Sequence, residues 1–295
     1  MEPDYKALKN TGFMRQRQKN RFSLRLKVVG GRLTTEQLRA ISEMADDYGS
    51  GIVHLTSRQG LEVPFIKLED IDSLKEGILQ GAISAGVCGP AVRTVTACQG
   101  DKVCPSGCID TYALAEKISD RYYGRRLPHK FKIGLTGCVN NCLKAEENDV
   151  GVKGGLILSF NEDACSKCAL CVKVCREKAL SFKNKKIALD PGKCNNCGRC
   201  VKICPEGAWR GKPGYIVYFA GTFGNRIAIG KKLLPVLSRK EDLLKVVDRA
   251  LDFFSEHGIP GERFRTTVDR TGWEPLAERL NRAKKATAEK KAKAG

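Results

Sequence analysis

The sequence contains no run of eighteen apolar residues, so no segment has the length of a helix that crosses a bilayer. Its opening stretch, MEPDYKALKNTGFMRQRQKNRF, lacks the apolar core of a secretory signal. A soluble, cytoplasmic protein with no membrane partner is therefore expected. Carboxylates are also scarce: 33 Asp and Glu face 52 Lys and Arg, a formal charge of +19, which predicts attraction to anions. Nucleic acid, small oxyanions and an acidic cofactor or partner are the three candidates. No nucleic-acid-reading motif accompanies the charge, which sets the first aside. Part of the excess lies in NRAKKATAEKKAKAG, whose Ala/Lys composition reads as a solvated tail over residues 281–295.

The chain of 295 residues, 42% hydrophobic, can bury one large core or two to three smaller ones. Phe22, Leu24, Leu26 and Val28 alternate with polar residues, the period of a half-buried strand. Thr34 and Gln37 form a capping-box pattern, followed by Leu38, Ile41, Met44 and Ala45 at helical spacing and Gly49 as the stop. Strands over 51–55 and 61–66 complete an α+β unit ending near residue 68. A helix is expected over 70–86, then a Gly/Pro-punctuated stretch, a strand LPHKFKIGL and a strand GLILSF. After a cysteine-dense segment, GYIVYFAG resumes the strand pattern, so that segment reads as a module inserted between two strands of one sheet. Ser238 and Glu241 are the expected cap of a helix bearing Leu243, Leu244, Val247, Leu251 and Phe254, stopped by Gly258.

The sequence holds fourteen cysteines, and a reducing cytoplasm would keep them as thiols available to metals, in a setting low in oxygen. Cys165, Cys168, Cys171 and Cys175 follow C-x2-C-x2-C-x3-C, and Cys194, Cys197, Cys200 and Cys204 repeat it. This is the spacing of bacterial two-cluster ferredoxins, in which the fourth cysteine of each run serves the other run's cluster. Cys165, Cys168, Cys171 and Cys204 are thus expected to hold one 4Fe-4S cluster, and Cys175, Cys194, Cys197 and Cys200 a second. A proline follows Cys204 as the pattern requires, whereas Arg176 follows Cys175. Zinc is disfavoured, because two repeated four-cysteine runs are not its usual signature.

Four further cysteines form two separated pairs, Cys98 with Cys104 (C-x5-C) and Cys138 with Cys142 in GLTGCVNNCLKA (C-x3-C). Four thiolates suffice for a third cubane cluster. This pairing resembles the signature of siroheme-containing sulfite and nitrite reductases. The segments LTSRQ around Arg58, VRTVTAC around Arg93 and LPHKFK with Lys130 and Lys132 resemble that family's other motifs, so the likeness spans about residues 22–230. It points to the single-repeat branch that carries an inserted ferredoxin, the branch of anaerobic sulfite reductase C subunits and dissimilatory sulfite reductase subunits.

The resemblance implies an α+β fold with a sulfite-reductase-type half-domain (1–68), a siroheme/4Fe-4S domain in two parts (69–159 and 208–280) and a two-cluster ferredoxin insert (160–207). It implies siroheme plus three 4Fe-4S clusters, Cys142 bridging one cluster to the siroheme iron, and Thr56, Arg58, Arg93 and Asn140 near the cofactor. It implies an oxidoreductase taking sulfite to sulfide, with electrons entering at the insert and Arg58, Arg93, Lys130 and Lys132 binding the substrate oxygens. Nitrite reduction to ammonia, or a non-catalytic electron-transfer subunit, are the alternatives. Lys130 and Lys132, two apart on a strand, would share a face. An isolated Arg or Lys is more often a solvated surface charge; occurrence in three matching segments raises these four above that. His129, His54, Cys88 and Cys108 read most simply as structural, although Cys108 could compete as a ligand. A single repeat lacks the second copy that larger relatives use to complete a site. A homodimer or higher oligomer is therefore expected, together with an electron-donor protein or further subunits.

Overall fold

The computed structural model describes residues 3–80 and 83–281; the expected basic tail from 282 onward lies outside them. Helix α1 (Tyr5–Asn10) leads into β1 (Phe13–Arg15) and β2 (Arg21–Arg25), followed by α2 (Thr35–Tyr48), β3 (His54–Leu55), β4 (Leu61–Lys67) and α3 (Ile71–Gln80). The four strands form an antiparallel sheet in the order β1-β2-β4-β3. The capping box at Thr34 forms as the sequence indicates: Thr34 Oγ1 accepts from Gln37 N–H, and Gln37 Oε1 accepts from Thr34 N–H. Alternation on β2 places Phe22 and Leu24 inward, where they meet Ile41, Val63, Ile66, Ile71 and Leu74 in one core.

Next come β5 (Thr96–Ala97), α4 (Thr111–Tyr122), β6 (Ile133–Thr136) and β7 (Val150–Phe160). After the cysteine-dense segment follow β10 (Trp209–Phe219), β11 (Lys231–Lys232), α7 (Lys240–His257) and α8 (Phe264–Thr271), with residues 273–281 again helical. These strands build a second sheet, β11-β10-β7-β6-β5, in which β10 and β7 pair antiparallel over eleven residues while β7-β6 and β6-β5 are parallel. Helices α4, α7 and α8 bury their apolar faces on it, with Leu114, Ile118, Leu243, Val247, Leu251, Phe254 and Phe264 in the second core. Between β7 and β10 the chain forms two five-residue helices, α5 (Leu170–Val174) and α6 (Arg199–Ile203), around the hairpin of β8 (Leu180–Lys183) and β9 (Lys186–Leu189). No helix among the described residues is long and apolar enough to cross a membrane.

Several local expectations are corrected. The helix expected over 70–86 is described from Ile71 to Gln80 and does not include Ser84 to Gly86, where Ala85 bridges Leu26: Lys27 N–H donates to Ser84 O (2.8 Å) and Gly86 N–H to Arg25 O (2.7 Å). Gly86 permits this, since a Cβ there would lie 3.2 Å from the carbonyl oxygens of Arg25 and Leu26. Regular pairing in LPHKFKIGL begins only at Ile133, with Phe131 making a lone bridge to Val92. At α7 the N-cap is Arg239 rather than Ser238, and no side chain caps the helix. Arg239 instead grips Asp242 in the first turn through two hydrogen bonds of 2.9 and 2.8 Å.

Candidate functional site: a cationic pocket and three groups of thiols

The tight turn Thr56–Gly60 joins β3 to β4. Thr56 Oγ1 accepts from Gly60 N–H (3.0 Å), and Gln59 sits at φ 58°. The Gln59 amide then pairs with the Ala97 backbone in both directions, each at 2.9 Å, which pins the first unit to β5 beside Cys98. Arg58 is thereby directed inward, donating to Asn148 Oδ1 (2.9 Å) and Thr94 O (3.2 Å). Arg93 is held by its own N–H to Phe131 O (2.8 Å) and by Nη1 to Val87 O (2.9 Å). Together with Arg25, Thr56, Lys130 and Lys132 these residues line one pocket of about 840 Å³. The convergence of Lys130 and Lys132 does not require the regular strand expected for them. The bridge at Phe131 suffices to keep alternate side chains on one side.

So many cations in one place need counter-charge, and the fold supplies Glu62 at Arg25 and a second, more deeply buried carboxylate behind Lys132. Asp149, fully buried, accepts the Lys132 N–H at 2.7 Å and the Arg263 guanidinium at 3.2 Å on both oxygens. Burial pushes the Asp149 carboxyl upward, and Arg263 with Lys132 pulls it back. Burial, then Arg58 and Arg263, bring the Lys132 ammonium down to about 8. Burial, partly offset by Asp149, brings Arg58 to about 10, so the guanidinium remains charged near neutrality. Burial and the neighbouring cations also lower His129 and Lys130. Among the described residues, Nε of Arg93 and of Arg263 are buried without a partner. A pocket lined by five cationic side chains suits an oxyanion or the carboxylates of an acidic macrocycle.

The cysteine pairs meet in the loops at the ends of β5 and β6. Gly137 N–H donates to Cys98 Sγ at 2.9 Å, and the Cys138 thiol, raised by burial, feels Cys104, Cys142 and Cys98. The Asn140 N–H favours the Cys138 thiolate, whereas the Asn140 side chain is exposed. None of these four cysteines lines the cationic pocket of its own chain. Cys88 is buried and accepts from Arg25 Nη1 at 3.1 Å. Cys108 is only half-buried, and its thiol is raised by burial and by Cys138, so it lies beside the group rather than in the core. His54 is exposed.

Within the cysteine-dense segment the two runs adopt the same backbone. Lys167 and Asn196 have φ of 61° and 63°, Ala169 and Gly198 cap α5 and α6 in the left-handed region, and Cys165 and Cys194 each accept an N–H two residues on at 3.4 Å. Cys175 of the first run lines one pocket with Cys194, Cys197 and Cys200 of the second. Burial raises Cys200 to about 11. Cys171 is raised by burial and by Cys165 and Cys168, and Cys204 packs against the same small core as Cys171. Among the described residues no three His, Cys, Asp or Glu side chains converge as they would on one metal ion; a cubane holds its thiolates farther apart. Backbone donors aimed at sulfur suit thiolate ligands. The segment is fastened to the rest by Asn196 on Leu156 (2.8 and 3.0 Å) and by Lys202 Nζ on Pro105 O (3.2 Å).

Sequence reading missed Arg25, Asn148, Asp149 and Arg263. The juxtaposition of Asn148 and Asp149 just after the second cysteine pair was the one available signal.

The family description "Nitrite and sulphite reductase 4Fe-4S domain" matches residues 88–287, and "Nitrite/Sulfite reductase ferredoxin-like half domain" matches residues 14–81. A coenzyme F420-dependent sulfite reductase of Methanocaldococcus jannaschii is 32% identical over 254 residues, 85% of this chain but 40% of that protein. An anaerobic sulfite reductase C-subunit of Salmonella typhimurium is 31% identical over 281 residues, 87% of this chain and 82% of that protein. The crystal structure of dissimilatory sulfite reductase I superposes with a TM-score of 0.72 at 20% identity, covering 88% of this chain and 69% of that one, a likeness of fold.

Proposed function

The chain belongs to the nitrite and sulphite reductase family, and from that premise we propose that it reduces sulfite to sulfide with siroheme and three 4Fe-4S clusters, electrons entering through the cysteine-dense module. The observation that carries this reading is the convergence of Arg25, Arg58, Arg93, Lys130 and Lys132 on one pocket. A protein that only carried electrons would have no use for such a site. Cys98, Cys104, Cys138 and Cys142 would hold the cluster coupled to siroheme, and the two crossed sets in the module would hold the others.

Sulfite loses three oxygens as water, consuming six electrons and six protons. Siroheme, when bound, supplies the iron at which sulfur is held and the S–O bonds are reduced. The residues of this chain do the rest. Arg58, still cationic, and Arg93 hold the oxygens in an environment where their charge is poorly screened. Lys132, brought to about 8, is the group best placed to release a proton to a departing oxygen and regain one from water. Asp149 keeps Lys132 from falling further. Nitrite reduction to ammonia would draw on the same pocket.

The separation of the cations from the four cysteines within one chain supports a site shared between copies, the cations of one facing the cysteines of the other. Mixing an Arg93→Ala chain with a Cys142→Ser chain is expected to restore activity in hybrid dimers, each holding one intact site. No recovery, or a monomer at working concentration, would remove the shared-site proposal. The name of the Salmonella relative, a C subunit, adds the expectation of further subunits. The function itself is tested on anaerobically purified protein. Siroheme bands, iron for three clusters plus one, and faster turnover of sulfite than of nitrite are expected. A spectrum without siroheme and iron for only two clusters would overturn the proposal.

A further inference from the structure

Trp209 opens β10 opposite Phe160 at the end of β7, where the second sheet passes the chain to the module and receives it back. The side chain is 4% exposed and its ring lies 4.7 Å from that of Phe160, in a core shared with Cys171, Cys200 and Leu180. Phenylalanine would keep an aromatic ring against Phe160. What tryptophan adds is a donor, and here the donor is buried and has no hydrogen-bond partner among the described residues. Leaving such a group unpaired costs about 1–3 kcal/mol, and buried unpaired donors are few.

The repeat within the module gives a comparison. Cys171 and Cys200 hold equivalent places at the starts of α5 and α6, and both belong to the small core that holds Trp209. Cys171 has the Trp209 indole acting on it in addition. A thiol sulfur is a weak acceptor, whereas an iron-bound thiolate carries the negative charge that makes it a good one. The orphaned donor thus gains its partner when the site is loaded.

We propose that Trp209 donates its indole N–H to the Cys171 sulfur when that thiolate holds its cluster. The bond raises the reduction potential of the cluster on Cys165, Cys168, Cys171 and Cys204 relative to the cluster on the other set. Reduction adds negative charge to the cluster, and a donor to its sulfur stabilises the reduced form more than the oxidised one. The inference rests on the reading of this segment as a two-cluster module. Trp209 is a positioning and tuning residue here, since it touches a ligand of the cluster and not the substrate.

The test is an EPR-monitored redox titration of the full chain, cluster-loaded and purified without oxygen, using dithionite as the one-electron reductant. In Trp209→Phe the reduced-to-oxidised ratio of one module cluster at fixed potential is expected to fall about tenfold, a shift of ~59 mV for a one-electron couple. The other clusters should titrate as before. Unchanged potentials in a fully loaded variant overturn the proposal. A second measurement covers a variant that loses iron: wild-type protein with indole-15N tryptophan, reduced and read by pulsed EPR. One 15N coupling should be present, and should persist in Trp273→Phe; its absence also overturns the proposal. Failure of the two-cluster reading would look different, as missing iron and missing module signals in the wild type itself.

Discussion

Replacing Lys132 with Met is expected to lower kcat/KM for sulfite by roughly 10²–10⁴-fold, the usual loss when a positioned proton donor is removed. Lys132 is the cation of the pocket whose ammonium lies at about 8, and the groups that set it are all named: burial, Arg58, Arg263 and Lys130 push it down, and Asp149 pulls it up. The sign of the pH dependence follows. The protonated form is the donor, so wild-type activity should be full below that value and fall as pH rises through about 8. Lys132→Met should lose this alkaline limb along with most of the rate. Lys132→Arg should keep substrate affinity, because the charge remains, but recover little turnover, because a guanidinium does not release its proton near neutrality. Steady-state rates from pH 6 to 9.5 with reduced viologen as donor decide the matter. An alkaline limb that persists unchanged in Lys132→Met would exclude this lysine as its origin.

The second large effect belongs to a residue that touches no substrate. Asp149→Asn would leave the Arg263 guanidinium, 19% exposed, with no carboxylate in a region already crowded with cations. Removing one member of a buried pair costs about 3–5 kcal/mol. Each kcal/mol shifts Tm by roughly 2–4 °C in a chain of this order, so a fall of about 6–20 °C is expected in thermal unfolding. Losing the anion should also lower the Lys132 ammonium further and move the alkaline limb of activity toward lower pH. Adding Arg263→Met should return part of the lost stability, since it removes the stranded charge, and should move the limb back toward higher pH, since Arg263 is one of the cations that lower Lys132. A Tm within a degree of wild type would show that the pair does not carry the load assigned to it.

These two residues also mark the limit of what could be read from the chain. Lys132 stands in LPHKFK, a contiguous segment whose likeness to a family is visible without coordinates. Arg263, which helps set its proton affinity, is 114 residues from its partner Asp149, and no periodicity or spacing links them. Arg25 looked like one more outward residue of an alternating strand, but it reaches Glu62 at 2.8 Å and Cys88 at 3.1 Å and turns into the pocket. Secondary structure shows the same division. The capping box at Thr34 was legible because a cap is satisfied within four residues. The placement of Ser84 to Gly86 outside a helix was not, because it is claimed by hydrogen bonds to residues about sixty positions earlier. At α7, Arg239 displaced the expected Ser238 by holding Asp242 from the cap position.

By itself the sequence determined the cysteine groups, the three basic segments and the mixed helix and sheet class, all of which rest on residue type at short spacing. Tertiary structure alone decided that Arg25 turns into the pocket beside Cys88, that the fully buried Asp149 carboxylate meets Arg263 and Lys132, and that Trp209 carries an unanswered donor into the core around Cys171. The physical reason is common to all three. Burial makes a charge or a donor consequential by removing water from it, and which groups lose their water depends on contacts between segments far apart in the chain.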